Sequence, residues 1–215
     1  MILDITTFDH PALRTPGTRI EKIDARIRDL ANDMIETMRD ADGLGLAAQQ
    51  VGLPLQMFVL DVPQMPKRPS AMRLDGQPAD FESHMPMVLL NAEVETFGKT
   101  VTEGEGCLSF PEVAADVARP LSVRVKAQIL DGTPIAFEAD GLLARAIQHE
   151  LDHTKGILFI DRATPETRAA FLDSLAEEIL ALGDALANVR ELELNELSAS
   201  ASGGRRQRGP APQRS

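Results

Sequence analysis

A chain of 215 residues with 43% hydrophobic and only 4% aromatic residues, and with neither Trp nor Tyr, can build one full domain whose core must be aliphatic. A formal charge of -11 excludes a surface made to wrap nucleic acid, because phosphates would be repelled, and no specific DNA binding is expected. The lone cysteine, Cys107, excludes an internal disulfide framework.

The chain opens MILDITTFDH, with acids where a signal peptide carries basic residues and no apolar region following. No apolar run approaches the roughly 18 residues of a membrane helix. The expectation is a cytoplasmic protein without membrane contact. Ile27, Leu30, Ala31, Met34 and Met38 recur at helical spacing and predict a helix over residues 25–41, with Asp24 as N-cap and Gly43 as stop. A glycine-punctuated stretch, Gly43 to Gly52, follows. Residues 55–60, LQMFVL, read as a buried strand. Residues 63–86 hold five prolines and little periodicity, and read as a long loop or insertion. Strand character resumes over residues 87–98.

The clearest β signal spans residues 121–139. Val123, Val125, Ala127 and Ile129 alternate with polar neighbours, Asp131-Gly132 supplies a hairpin turn, and Ile135 and Phe137 alternate on the return. The period then changes: residues 141–154, GLLARAIQHELDHT, read as a helix capped by Asp140 and stopped by Gly156. A last helix starts at Thr164-Pro165, with Leu172, Leu175, Ile179, Leu182 and Leu186 on one stripe. From Ser198 the composition turns to Ser, Ala, Gly, Pro and Arg, which predicts disorder. Hairpins segregated from helices make the expected class α+β.

Chemistry concentrates in His149-Glu150-Leu151-Asp152-His153. Two histidines four apart on a helix sit about 40° apart around its axis, so both can grip one metal ion. Glu150 and Asp152 each lie about 60° outside that pair, on opposite sides, so angle alone does not choose between them. The mechanics of the H-E-x-x-H pattern assign Glu150 as acid/base and leave Asp152 an ion-pairing role. A catalytic metal wants a third protein ligand, and Cys107 in Glu105-Gly106-Cys107-Leu108-Ser109 is the natural one, although a lone cysteine can equally be a small buried hydrophobe. A thiolate with two imidazoles suits iron, zinc, cobalt or nickel. Gly43-Leu44-Gly45-Leu46-Ala47-Ala48-Gln49-Gln50 suits backbone packed close against something; read alone, it also fits a tight helix-to-strand connection.

Together, Gly-Leu-Gly-Leu-Ala-Ala-Gln-Gln, Glu-Gly-Cys-Leu-Ser and Gln-His-Glu-Leu-Asp-His resemble the three signature motifs of peptide deformylases, in that family's order and approximate spacing. His10-Pro11-Ala12-Leu13-Arg14 is similar to its N-terminal segment, and the resemblance covers about residues 2–162. It implies antiparallel sheets packed around a central metal-binding helix, with a catalytic domain over residues 1–162 interrupted by the 63–86 insertion. It implies that Cys107, His149 and His153 bind one divalent metal, typically Fe²⁺ with Zn²⁺, Ni²⁺ or Co²⁺ able to substitute. Glu150 would be the general acid/base, and the Gln50 side chain and Leu108 N–H would stabilise the oxyanion. The Gly45 backbone would help hold an N-formylmethionyl nascent peptide, whose formyl group leaves as formate. Leu44, Leu142 and Ala146 are candidates for the methionine slot; the last two also suit ordinary core packing. Three features depart from the family: the length of 63–86, Thr154 where many members have Leu, and Glu-Val-Ala-Ala-Asp after Pro111 where many place an arginine near the substrate.

Two rival readings use the same histidines. A zinc peptidase would recruit a downstream acid such as Glu166, and a closed structural site would add His10 or His84 to Cys107, His149 and His153. The C-terminal helix expected over residues 163–197 is acidic, with Arg168 and Arg190 its only basic residues. The basic tail over residues 198–215 carries Arg205, Arg206, Arg208 and Arg214, a candidate for transient ribosome contact or an idle solubilising segment.

Overall fold

The structure, a computed structural model, describes residues 1–173. A compact unit spans Met1–Thr167. Residues 165–173 are helical, and the remainder of the expected apolar stripe and the basic tail lie outside the described residues.

Helix α1, Ala25–Asp40, starts as its sequence predicts, with the Asp24 carboxylate accepting from the Ile27 N–H. Its stop differs from expectation. Asp42, not Gly43, takes the left-handed conformation (φ 53°), while the Asp42 N–H bonds to the Arg39 carbonyl and the Gly43 N–H to the Met38 carbonyl. This is a Schellman ending in which Asp tolerates the position that glycine usually fills.

Among the described residues seven strands follow: β1 Gly45–Ala47, β2 Met57–Leu60, β3 Ser70–Leu74, β4 Gln77–Ala79, β5 Met87–Cys107, β6 Phe110–Gln128 and β7 Pro134–Asp140. They form one sheet in the order β1-β2-β5-β6-β7-β3-β4, and every pairing is antiparallel. The long β5–β6 ladder is interrupted by register shifts at Leu90/Glu93, Phe97/Thr100 and Gly106/Cys107, each of which lets the ribbon bend.

The unbroken apolar run at β2 has a direct cause. Phe58 and Leu60 enter one core with Leu143 and Ile147 of helix α2, Gly141–Thr154, whereas Met57 and Val59 enter another with Met34 and Met38 of α1. Alternate residues of one strand therefore fill two cores, and each fully buried Leu or Ile in them contributes roughly 1.5–3 kcal/mol.

The reading of residues 63–86 as a loop is corrected by the structure. They contain the β3–β4 hairpin, with Leu74 opposite Gln77 and a two-residue Asp75-Gly76 turn at φ 50° and 75°. That Asp-Gly dipeptide is a hairpin signal of the same kind as Asp131-Gly132, but the surrounding prolines masked it. Strand β3 also pairs with β7, Ala71 opposite Asp140, which covers that edge of the sheet.

The hairpin corrects a second expectation. Asp140 occupies the N-cap position of α2 without a capping bond, since its carboxylate accepts from Ser122 Oγ and Arg73 Nη1. The first turn of α2 is satisfied from β3 and the residue before it: the Leu143 N–H donates to Ser70 Oγ (3.1 Å) and the Leu142 N–H to the Pro69 carbonyl (3.3 Å). At the other end Gly156 stops the helix as predicted (φ 72°), its N–H bonding to His153 and the Ile157 N–H to Asp152.

The approach of Pro69 to α2 requires Gly141. Its φ is +69°, and a Cβ there would lie 2.0 Å from the Pro69 carbonyl oxygen. Gly141→Ala should lower unfolding stability by about 2 kcal/mol or more, read as a reduced denaturant midpoint at unchanged slope.

Candidate metal centre and catalytic cleft

Helix α2 packs against β1, β2, β3, β5, β6 and β7, and it is buried along nearly its whole length. His149 and His153 project one turn apart towards the end of β5, where Cys107 sits. The candidate ligand atoms of Cys107, His149 and His153 all lie within 4.8 Å of one another, and Cys107 Sγ is 3.3 Å from His153 Nε2. Glu166 is not in this group. His10 is occupied in capping the Pro11–Arg14 turn through Nδ1, and His84 interacts with Ser83 and Asp80 in an exposed turn. Neither rival ligand set is therefore assembled.

The residues fit a metal ion on two counts. A thiolate and two imidazoles are soft-to-borderline donors suited to a first-row divalent ion. The centre also contains a polar atom the protein does not satisfy: Glu150 Oε2 is buried beside these donors without a hydrogen-bond partner. The orientation of His149 is set by Glu105, which accepts from its Nδ1 at 3.1 Å and leaves Nε2 for a ligand.

Glu105 itself is the hub of a buried ion network. It accepts from Arg119 Nε (2.6 Å) and Nη2 (2.9 Å) and from Arg145 Nη1 (2.7 Å). Arg119 also donates to Asp152, which pairs in turn with Arg162. Asp152 thus has the ion-pairing role expected of it. Burial would raise the Glu105 carboxyl, but the hydrogen bonds from His149 and Arg119 outweigh it and bring the pKa down to about 2.

The same opposition acts on His149: burial disfavours its charge, yet hydrogen bonds to Cys107 and Glu105 raise it well above its ordinary value. Burial pulls His153 well below, where the neutral imidazole is ready to ligate. Glu150 is governed by burial, which lifts it to about 7, in the range useful for moving protons near neutrality.

A cleft of about 660 Å³ opens onto this centre. Cys107, His149 and Glu150 line it, as do Gln50 and Leu108. The 3-10 turn Ala48–Val51 holds Gln50 in place: its Oε1 accepts from the Ala47 N–H (2.8 Å), which turns Nε2 towards Cys107 Sγ at 3.6 Å. Gly45 passes so close to Glu150 that a Cβ would lie 2.4 Å from its Oε1. Leu44, Leu142 and Ala146 supply apolar lining, and Leu142 and Ala146 also belong to the core between α2 and the sheet.

Sequence reasoning missed the arginines. Arg145 falls inside the buried run 142–148 of α2, and Arg119 alternates with buried Ala115 and Val117 along β6. A charge in a buried pattern needs a partner, and that signal was present. Arg68 and Asp42 at the cleft wall carried no comparable signal.

An α+β fold whose buried helix brings two histidines and a glutamic acid to a cysteine at a strand end, beneath an open cleft, defines a metal-dependent hydrolase. Comparison with known proteins narrows the class. The family model described as polypeptide deformylase matches residues 2–169. The peptide deformylase of Methylacidiphilum infernorum is 44% identical over 193 residues, covering 90% of this chain and 100% of the relative. That of Opitutus terrae is 43% identical over 79% of this chain and 89% of its own. Among solved structures, the Synechococcus elongatus peptide deformylase in complex with actinonin superposes with a TM-score of 0.68 at 38% identity, over 80% of this chain and 85% of that one. The Thermotoga maritima peptide deformylase gives 0.64 at 34% identity, over 77% and 99%. The chain belongs to the polypeptide deformylase family.

The burial of Glu150 has a measurable consequence. Its folded pKa of about 7 exceeds the ordinary 4.5, so the native state holds its proton more tightly, and stability is lost as pH rises between those values. Glu150→Gln removes this titration. In metal-free protein the variant should match wild type near pH 4 and exceed it at pH 8 by up to about 3 kcal/mol in denaturant unfolding; parallel profiles would refute the assignment.

Proposed function

We propose that this chain hydrolyses the N-formyl group from the formylmethionine that begins newly synthesised polypeptides, with Fe²⁺ held by Cys107, His149 and His153. The observation that carries the reading is the buried Glu150 beside a converged Cys–His–His group in an open cleft. Zn²⁺, Ni²⁺ and Co²⁺ suit the same donors. A divalent ion there supplies Lewis acidity, polarising the formyl carbonyl and acidifying water.

The remaining work falls to side chains. Glu150 takes the proton from the attacking water and returns it to the leaving amine, a shuttle supported by its pKa of about 7. Charge developing on the formyl oxygen is met by Gln50 Nε2 and the Leu108 N–H, and the loss of one such donor typically costs about 3–4 kcal/mol of transition-state stabilisation. For Gln50 this is supported by the anchoring of Oε1, which leaves only the amine side facing the centre. Gly45 backbone borders the substrate, and the methionine side chain enters the apolar lining of Leu44, Leu142 and Ala146. Formate and a free N-terminal amine are released.

The reading places the enzyme in the cytoplasm, where formylated chains emerge; no helix among the described residues is long and apolar enough to cross a membrane. It treats residues 1–162 as the catalytic domain, residues 163–197 as an acidic C-terminal helix and residues 198–215 as a basic tail. The tail arginines make weak, salt-sensitive phosphate contacts with the ribosome.

Two measurements test this. Anaerobically purified protein should release formate from formyl-Met-Ala-Ser and carry near-stoichiometric iron by elemental analysis, and Glu150→Ala should keep that metal while losing most turnover. Loss of metal from the variant would move Glu150 into the ligand set. Deletion of residues 198–215 should leave peptide turnover unchanged and weaken ribosome co-sedimentation at low salt; equal co-sedimentation would remove the tail from the account.

A further inference from the structure

The cleft wall contains two arginines with opposite circumstances. Arg145 is buried and spent: Nη1 donates to Glu105 and the Val117 carbonyl, Nη2 to the Val101 carbonyl, and Nε lies 3.4 Å from Glu103. Arg68 stands in the segment that leads into β3, with its side chain 35% exposed. Its Nε and Nη2 both donate to Glu103 Oε2, at 3.2 and 2.7 Å. Nη1, with two N–H groups, has no protein partner among the described residues.

We propose that Arg68 is a substrate-positioning residue, its Nη1 donating to a main-chain carbonyl of the peptide beyond the formylmethionine. The inference rests on the deformylase reading, because that reading sets the direction of the bound chain. Arg68 lines the same cleft, and the carbonyl of the adjoining Pro69 accepts from the Leu142 N–H, so a peptide whose formyl group lies at Cys107 and Glu150 and whose methionine side chain lies against Leu142 passes beside Arg68 as it leaves.

An extended peptide leaving a cleft presents amide N–H and carbonyl groups whatever its side chains are. A guanidinium offers donors only, so it selects the carbonyls. Glu103 does two things for this contact. It holds the planar fork in one orientation, so little rotamer freedom is lost when a peptide binds. It also offsets part of the guanidinium's charge, which lessens any preference for a carboxylate over a neutral carbonyl and makes the contact less sensitive to sequence. An enzyme that must accept many different chains after the same first residue needs that kind of handle.

The test compares two substrates, one long enough to reach Arg68 and one not. With wild type, Arg68→Ala and Arg68→Lys, kcat and KM are measured on formyl-Met-Ala-Ser and on formyl-methionine amide. Arg68→Ala should raise KM for the tripeptide about tenfold with kcat within about twofold, the signature of lost binding shared by ground and transition states. The amide, with no residue after methionine, should be turned over as by wild type. Arg68→Lys should recover part of the tripeptide KM, since an ammonium can still donate to a carbonyl. Equal losses on both substrates, a fall in kcat at constant KM, or an unchanged tripeptide KM would each overturn the proposal while leaving the deformylase reading intact. Wild-type protein that hydrolyses neither substrate would overturn that reading, and this inference with it.

Discussion

Glu105 is a buried carboxylate that accepts hydrogen bonds from Arg119, Arg145 and His149, and through them it joins β5, β6 and α2 at one point. Isolated, such a charge could not stay ionised in the interior; ringed by donors, it sits at a pKa of about 2. The arrangement is costly to assemble and more costly to break, since removal of one partner from a buried pair typically loses about 3–5 kcal/mol. What it yields is position. The His149 ring is turned by Glu105 and α2 is tethered by Arg145, so the end of β5 that carries Cys107 cannot drift from the helix that carries the histidines.

Two further constraints close around that point. Strand β2 divides its side chains between the cores beneath α1 and α2, which makes the sheet a common wall for both helices. The β3–β4 hairpin satisfies the first turn of α2 through Ser70 and Pro69, and Gly141 permits the approach. Helix α2 is thus held at its start by a hairpin, along its side by Glu105, and at its end by the Gly156 turn. A hydrolytic centre benefits from such rigidity, because a misplacement of about 1 Å can cost about a hundredfold in rate. Glu150 is the exception in chemistry rather than in position: it is kept buried and incompletely satisfied, and that same environment raises its pKa into the working range.

Local signals in the sequence account for much of this. The α1 and α2 helices were legible from their 3.6-residue periods, the β6–β7 hairpin from its alternation and Asp131-Gly132, and the stop at Gly156 from glycine's access to positive φ. The misreadings were also local. Asp75-Gly76 is masked by the surrounding prolines, and Asp140 carries a capping signal although Ser122 and Arg73 compete for its carboxylate. Propensity ranks what a residue does with its chain neighbours, and cannot see a competitor that arrives from another strand.

The sequence by itself determined the donor types and the helical spacing that puts His149 and His153 on one face, because four residues on a helix is a fixed rotation. It determined as well that Glu150 would stand beside them and that a glycine-rich turn would run close to something. Only the tertiary structure decided that Cys107, 46 residues from His153, meets it at 3.3 Å, that Glu105 orients His149, and that Arg145 is spent while Arg68 keeps donors free. The division has a physical reason. Periodicity and turn chemistry act over a few residues, whereas burial, pKa and the pairing of charges depend on which distant segments the sheet brings together.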